Sequence, residues 1–246
     1  MGRLIRGIWL RAACLLTLTL TSLVVSSGLN ANADAVLATT NSVLTALKAA
    51  ISKQTAVHVV SFARSGSTST TENIVADVGV TSGAETVSLG KSHLSVRVTA
   101  TYAFVRGNSS GLVNLFGLSS AEAKKAGSEW VSFKTGTSQY SNVKADVTFR
   151  SVTALLPRAK GTKLSTEVVN GTKLDVLKWT SPSSNSVPTL SNTLTVSTGL
   201  ITLPVKVTSI AANGTKETTT LSKWGELVLV SAPPAASSIA SSEVAG

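Results

Sequence analysis

The sequence has few of the residues from which catalytic and metal sites are usually built. It contains one cysteine, Cys14, two histidines, His58 and His93, and only 4% aromatic residues. One cysteine excludes a disulfide framework, and one cysteine with two histidines does not supply the four ligands of a structural zinc site. The sequence therefore predicts no metal site and no resident cofactor.

Acidic residues are also scarce, with 12 Asp and Glu against 22 Lys and Arg and a formal net charge of +10. The basic residues form no stripe and the aromatic signature of RNA-binding domains is absent, so nucleic acid is not expected as a partner. Scattered positive charge instead favours weak contact with an anionic membrane surface or a cell-wall polymer, without specifying either.

Signals for enzymatic chemistry are weak. A serine or threonine nucleophile needs a neighbouring base, and only His58 and His93 offer an imidazole. Both lie in alternating, strand-like sequence, which favours an ordinary structural role. The Asp and Glu residues form no recognisable pair for acid–base chemistry, and glycine-rich phosphate loops are absent. We expect no catalytic residues and no enzymatic activity.

The N-terminal segment has the three parts of a secretory signal peptide. A basic region over residues 1–11 precedes an apolar stretch over 12–25, and small residues then offer cleavage after Ala33 or Ala35. The apolar stretch is shorter than the roughly 20 residues that cross a bilayer, which argues against an uncleaved membrane anchor. The sequence therefore predicts a signal peptide over residues 1–33.

Export is accordingly expected, either to a cell envelope with a periplasm-like space or to the medium. Cys14 lies at the start of the apolar stretch, whereas a lipid-modified cysteine follows such a stretch, so no lipid anchor at Cys14 is expected. Cleavage removes three arginines and leaves 19 basic residues against 12 or 11 acidic ones, which gives a net charge of +7 or +8.

The rest of the chain combines a helix with many extended segments. Its 36 Ser and 32 Thr accompany 43% hydrophobic residues, a composition too apolar for disorder and rich in residues of high strand propensity. Apolar residues repeat with helical spacing from Asn41 to Lys53, with Thr40 or Asn41 as the N-cap. From Val57 the period becomes two, which is typical of antiparallel strands with one covered face.

Two turns and a central helical region complete the pattern. Asn170-Gly171 and Asn213-Gly214 each separate two extended segments and predict type I′ hairpins. Residues 108–157 show helical spacing, including a capped helix over 119–126 and a further helix ended by Pro157. These helices are expected to cover the apolar face of the sheet.

The predicted fold class is α+β, with a curved antiparallel half-barrel sheet, an N-terminal helix and a central helical cover. This domain occupies residues 36–231 with a last strand at Leu227–Val230, and residues 232–246 are expected to form a disordered tail. The alternative is a closed β-sandwich, in which residues 112–116 and 147–156 would be strands instead of helices.

Several short segments resemble a family of actinobacterial envelope proteins. They lie at Tyr102–Asn108 (YAFVRGN), Ala121–Gly127 (AEAKKAG), Glu129–Phe133 (EWVSF), Leu203–Val205 (LPV) and Ser222–Gly225 (SKWG). In this order they resemble the LppX/LprG-type proteins, relatives of the LolA lipoprotein carrier, over residues 40–231. The resemblance implies a half-open sheet curled around helices with an apolar cavity, and a role in carrying acylated molecules across the envelope. Family members usually have a lipobox cysteine at the mature N-terminus, which this sequence lacks.

The predicted function is that of an exported, non-enzymatic carrier or sensor that holds acyl chains of an envelope lipid or glycolipid. The alternative is an exported interaction or structural module with a filled core and no ligand. A lipid cavity should be lined by aliphatic and ring side chains, because an unpaired buried charge is costly. The predicted lipid-binding residues are Val43, Leu47, Ile51, Phe62, Ile74, Leu94, Val96, Tyr102, Phe104, Leu112, Leu115, Phe116, Phe133, Phe149, Val152 and Leu156.

Overall fold

The fold is described from a computed structural model. The structure describes residues 31–66, 70–182, 189–198 and 201–245, without the side chains of residues 31–38 and 150. The predicted signal peptide over residues 1–33 therefore lies almost wholly outside the described residues. Within these ranges, no helix combines the length and the apolar character needed to cross a membrane.

The described residues form one long N-terminal helix, several short helices and a large sheet. The helices are α1 (Ala31–Ser52), α2 (Ser109–Gly111), α3 (Ser120–Ala126), α4 (Ser138–Asp146), α5 (Phe149–Thr153) and α6 (Ser241–Ala245). A π-helical turn at Leu112–Phe116 continues α2, and a 3-10 turn lies at Ala235–Ser237. The strands are β1 (Ala56–Arg64), β2 (Thr71–Gly79), β3 (Gly83–Leu89), β4 (Ser92–Val98), β5 (Tyr102–Gly107), β6 (Trp130–Lys134), β7 (Lys163–Val169), β8 (Thr172–Ser181), β9 (Leu190–Ser197), β10 (Pro204–Ala211), β11 (Lys216–Ser222) and β12 (Ser238–Ala240).

The described strands form one 12-stranded sheet in the order β12-β6-β5-β4-β3-β2-β1-β11-β10-β9-β8-β7. It consists of two antiparallel meanders, β1–β6 and β7–β11, which join where β11 returns to pair with β1. The predicted α+β class is confirmed, with a large open antiparallel sheet, an N-terminal helix and a helical cover inserted between the two groups of strands.

In the first strand, one face of the sheet is covered and the other is exposed. In β1, Val57, Val59 and Ser61 are buried, whereas the alternating Val60 and Phe62 are exposed. The register carries this alternation into the neighbouring strands, since the buried Val59 lies opposite Ala76 of β2 and Leu221 of β11. The two-residue period in the sequence is therefore the pattern of a sheet with one covered face.

Residues 109–126 and 138–159 cover the inner face, and within the predicted helical region residues 130–134 instead form β6 of the sheet. The covering segments contain the helical turn at Leu112–Phe116 and α5, so the β-sandwich alternative is excluded. The cover approaches the sheet closely at Gly83, where an added Cβ would lie 2.1 Å from the carbonyl oxygen of Val147. Next to this contact, Thr148 forms an isolated parallel bridge with Gly79. The junction between α4 and α5 is thus held against the ends of β2 and β3 by backbone contact.

The apolar interior consists of two clusters. The cover cluster includes nine of the buried strand residues, Ile74, Val87, Leu94, Val96, Val98, Ala103, Val105, Val131 and Phe133. The α1 cluster lies under the N-terminal helix and joins Leu44, Leu47 and Ile51 to both meanders. Leu177 and Leu194 of the second meander are completely buried in it. The helix therefore packs across the junction between the meanders.

The helix α1 begins at Ala31, earlier than predicted, so that Thr40 and Asn41 lie within it and neither is its N-cap. Thr40 is completely buried, and of the residues predicted to face inward Leu47 and Ile51 are buried, whereas Val43 is only partly buried and Leu44 is buried beside it. A residue that is favoured as an N-cap is also tolerated inside a helix when tertiary packing supports it, because intrinsic propensity is a weak effect.

The two predicted hairpins are present, with different turns. At Asn170-Gly171 both residues have positive φ (51° and 77°), as a type I′ turn requires. At Asn213-Gly214 only Gly214 has positive φ, and the Asn213 side chain accepts a hydrogen bond from the Thr215 amide (3.0 Å). The type I′ prediction is therefore wrong for the second turn, where the asparagine side chain stabilises a longer loop.

The C-terminal residues also differ from the prediction. Leu227–Val230 forms no strand, and Leu227 and Leu229 are 79% and 83% exposed. The expected disordered tail instead includes β12, which pairs in parallel with β6, and α6, whose Val244 is buried. The physical reason is tertiary, because the free edge of β6 offers backbone hydrogen bonds that composition does not reveal.

Candidate functional site

An apolar pocket lies where the C-terminal end of α1 meets the cover. Its volume is about 360 Å³ and it is open to the surface. The turn after β2 and the segment from α5 to Leu156 complete its wall. The lining residues are Lys48, Ile51, Ser52, Gln54, Val80, Phe149, Thr153 and Leu156.

The apolar walls come from three separate parts of the chain. Ile51 is the last residue of the buried α1 stripe, and Val80 is 59% exposed in the turn between β2 and β3. Phe149 and Leu156 begin and follow α5, and both pack against the α1 cluster. The pocket is thus an opening at the edge of the α1 cluster.

Trp224 supports the aromatic wall. Its ring centroid lies 6.3 Å from that of Phe149, and its Nε1 donates a hydrogen bond to the Pro204 carbonyl oxygen (3.1 Å). A partly buried tryptophan whose N–H has a partner is a stable packing surface. The position of Phe149 is therefore fixed by the second meander as well as by α5.

Three of the sixteen predicted lipid-binding residues line this pocket, namely Ile51, Phe149 and Leu156. Leu47 and Val152 lie deeper in the α1 cluster, and the partly buried Val43 packs against it. Seven lie in the cover cluster or pack against it, Ile74, Leu94, Val96, Leu112, Leu115, Phe116 and Phe133. The structure brings the predicted residues into two packed clusters and places only a minority at an opening.

The remaining three predicted residues, Phe62, Tyr102 and Phe104, occupy the outer face of the sheet. Phe62 and Tyr102 are 48% and 38% exposed, whereas Phe104 is buried on this face, with its ring 5.8 Å from that of Tyr102. Each of them alternates with buried residues of its own strand. Their aromatic rings fit the predicted lining, but their position in the two-residue alternation places them away from the pocket.

Five pocket residues were not predicted, Lys48, Ser52, Gln54, Val80 and Thr153. Four of them are polar, whereas the predicted lining consisted of aliphatic and ring side chains. The helical period indicates two of them, because Lys48 and Ser52 lie four residues apart on the side of α1 next to Ile51.

The inner face also carries carboxyl groups. Glu85 lies opposite Ala76 and Val96, both buried, so its side chain belongs to the covered face. Burial raises the pKa of Glu85 to about 8, and the Asp146 and Glu72 carboxylates add to the rise. The residue as a whole is partly exposed, so solvent still screens part of the charge of its carboxylate.

Glu217 occupies a similar position on β11. Burial raises its pKa to about 7, while a hydrogen bond donated by the Ser61 hydroxyl (2.9 Å) opposes the rise. Thr219 in turn donates to the Ser61 oxygen at 3.0 Å. Among the described residues, no three His, Cys, Asp or Glu side chains are placed to hold a metal ion. These carboxyls form a protonation-sensitive region of the interior.

The histidines and one serine motif show no catalytic arrangement. His58 contacts Asp77 (2.7 Å) and His93 contacts Ser88 (3.0 Å), each directly across a strand pair.

Residues 107–111 have the Gly-x-Ser-x-Gly spacing of a hydrolase nucleophile elbow. Asn108 instead caps α2 in an extended conformation and accepts a hydrogen bond from the Gly111 amide (2.8 Å). This segment is an ordinary helix cap, without the positive φ of a strained elbow serine.

No protein-family model matches the chain, and no curated protein matches its sequence. Among solved structures, it is similar to the Mycobacterium tuberculosis lipoprotein LppX (17% identity, 80% of this chain and 99% of that chain, TM-score 0.49). It is also similar to Pseudomonas aeruginosa MucB from its complex with MucA (12% identity, 80% of this chain, TM-score 0.32), of which it spans 59%. A LolA-superfamily protein from Nitrosomonas europaea is similar at 10% identity and a TM-score of 0.29, over 77% of this chain and 94% of that one. At these identities the similarity concerns the fold alone.

Proposed function

We propose that the protein is an exported, non-enzymatic lipid-binding protein that holds an acyl chain of an envelope lipid, as a carrier or a sensor. The observation that supports the proposal is the pocket of about 360 Å³, whose walls are formed by Ile51, Val80, Phe149 and Leu156. Apolar clefts of roughly 300–1,000 Å³ with a few polar groups are the usual form of a small-molecule site. The LppX/LprG-type resemblance implies the same class of ligand.

The pocket volume suits one chain of moderate length. If a methylene group takes about the 30 Å³ of a water molecule, the pocket accommodates roughly a dozen of them. Burying each methylene gains about 0.8 kcal/mol relative to water, and a bilayer offers about the same gain. The pocket would therefore exchange an acyl chain with a membrane without retaining it permanently, as a carrier requires.

The location and partners belong to the same proposal. The signal peptide would deliver the protein to the envelope or the medium, without a lipid anchor at Cys14. The net charge of +7 or +8 after cleavage would favour encounters with anionic membranes or cell-wall polymers, where acylated lipids and glycolipids occur.

A matched pair of tryptophan substitutions tests the pocket. Leu156 lines the opening, whereas Val152, one helical turn earlier, is 1% exposed in the closed core. Leu156→Trp should fill the pocket and abolish binding of a fluorescent fatty acid while leaving the thermal melt nearly unchanged. Val152→Trp should instead overpack the core and cost about 1–3 kcal/mol of stability. Undiminished fatty-acid binding by a folded Leu156→Trp protein would refute the pocket assignment.

A second candidate function is supported by the packing of the interior. Thirteen of the predicted lipid-binding residues lie inside or against two filled clusters, as expected for an interaction or structural module without a ligand. Native mass spectrometry of protein purified from its own host separates the two candidates. A bound lipid mass supports the carrier, and a clean ligand-free mass with no extractable lipid supports the module.

A further inference from the structure

We propose that the ligand of this pocket has an anionic polar end, a carboxylate or a phosphate, which the ammonium group of Lys48 binds. The inference rests on the proposed function and names the chemical class of its ligand. It follows from the charges of the lining and from the hydrogen bonds that its polar side chains already make.

The polar side chains at the rim are not equally available to a ligand. Ser52 donates its hydroxyl to the Ala49 carbonyl (2.9 Å), and Gln54 donates its Nε2 to the Ala50 carbonyl (3.3 Å). Thr153 donates to the carbonyl of Phe149 (3.3 Å). These hydroxyl and amide donors are thus engaged with backbone close to the helix ends.

Lys48 differs from these residues. It is exposed, and no ion pair or hydrogen bond joins its side chain to another of the described residues. Its ammonium group has three donors and a full positive charge. Among the described residues, the lining contains no Asp or Glu, so the charge that these residues give the pocket is positive. An alkyl chain inside this pocket would place its polar end near Lys48, the one charged side chain among the described lining residues.

The C-terminal end of α1 lies at the same opening, and a helix C-terminus carries partial negative charge that opposes an anion. Here the last carbonyls already accept hydrogen bonds. Ala49 accepts from Ser52, Ala50 from Lys53 and Gln54, and Ile51 from the Gln54 amide (2.9 Å). With these carbonyls engaged, the Lys48 charge dominates the recognition of a polar end.

The test uses three probes of equal chain length: dodecanoate, dodecyl phosphate and neutral dodecanol. Their affinities are measured by calorimetry near neutral pH on the wild-type protein, on Lys48→Met and on Lys53→Met. Lys53→Met is the matched control, because Lys53 is an exposed lysine just beyond α1 that does not line the pocket. The methionine retains an apolar stem of similar length and removes the charge.

We expect the wild-type protein and Lys53→Met to bind the two anionic probes about tenfold more tightly than dodecanol. Lys48→Met should lose this preference and retain its affinity for dodecanol. Equal affinities of the wild-type protein for all three probes, or a preference that survives in Lys48→Met, would overturn the inference and leave the acyl pocket intact. A wild-type protein that binds none of the probes would overturn both the inference and the proposed function. A preference for only one anionic probe supports the inference and identifies the headgroup as carboxylate or phosphate.

Discussion

Replacing Glu85 by glutamine should make the protein less sensitive to alkaline pH. Glu85 lies on the covered face of β3, and burial, with help from Asp146 and Glu72, raises its pKa from 4.5 to about 8. Between these two values the folded protein binds a proton at this site that the unfolded chain has released. The stabilisation is therefore fully present below pH 4.5 and is lost as the pH rises towards 8.

The size of the effect follows from the width of that pH interval. Each pH unit between the two pKa values corresponds to about 1.4 kcal/mol, so the whole interval sets an upper limit of roughly 5 kcal/mol. Partial exposure of the residue allows solvent to screen the charge, and we expect roughly 2 kcal/mol. This is a large part of the roughly 5–15 kcal/mol by which domains are stable.

The assay is urea unfolding of the wild-type protein and Glu85→Gln over a series of pH values from about 5 to 8. Glutamine keeps the shape of the protonated carboxyl but has no proton to release. Glu85→Gln should therefore lack the part of the pH dependence that Glu85 contributes to the wild-type protein. Glu217, with a pKa raised to about 7, contributes to the lower part of the same range in both proteins. Across the range the wild-type protein should therefore lose stability more steeply with rising pH than Glu85→Gln, in which Glu217 contributes without Glu85.

Glu129→Gln provides the control, because it removes the same charge from an exposed residue. Its unfolding free energy should follow that of the wild-type protein at every pH. The reasoning is refuted if the wild-type protein and Glu85→Gln show the same slope of unfolding free energy against pH throughout the range, since Glu85 would then titrate alike in the folded and unfolded states.

Two further substitutions, one of them with a matched control, test how the cover is attached to the sheet and how its helix is capped. Gly83→Ala would place a Cβ 2.1 Å from the Val147 carbonyl oxygen, so we expect a loss of about 1–3 kcal/mol in urea unfolding. Gly90→Ala, where the Cβ meets open space, should cost only the left-handed backbone strain of about 1 kcal/mol, and equal losses would contradict the close contact. Ser119→Ala removes the oxygen that accepts the Glu122 amide proton (3.2 Å) and should lower stability by about 1 kcal/mol in a thermal melt. An unchanged melting temperature would show that this capping box does not contribute.

Local signals in the sequence predicted much of the fold. The capping box at Ser119 and Glu122 is formed as predicted, because all of its atoms belong to a single turn of chain. The hairpin at Asn170-Gly171 has the predicted turn for the same reason. At Asn213-Gly214 an equally local signal predicted the hairpin but not the turn type, since the Asn213 side chain accepts a hydrogen bond from Thr215 and selects another geometry.

The sequence was less informative where the outcome depends on distant segments. Residues 238–240 carry no strong strand signal, and they become a strand because the edge of β6 is free to pair with them. Tyr102 and Phe104 are aromatic in a strand, and the residues alternating with them, Ala103 and Val105, are the ones that enter the cover cluster. A preference for large rings as pocket residues therefore selected the wrong face of β5.

The pocket illustrates the same limit on the N-terminal helix. Leu47 and Ile51 lie one turn apart on one stripe, and both are almost completely buried. Only Ile51 lines the opening, because α1 ends there and the segment from Phe149 to Leu156 arrives beside it from a different part of the chain. A helical period identifies the stripe but not the packing partner of each of its members. Lys48 borders the same opening on an exposed side of α1, so its proximity to apolar walls is a tertiary property that only the assembled fold reveals.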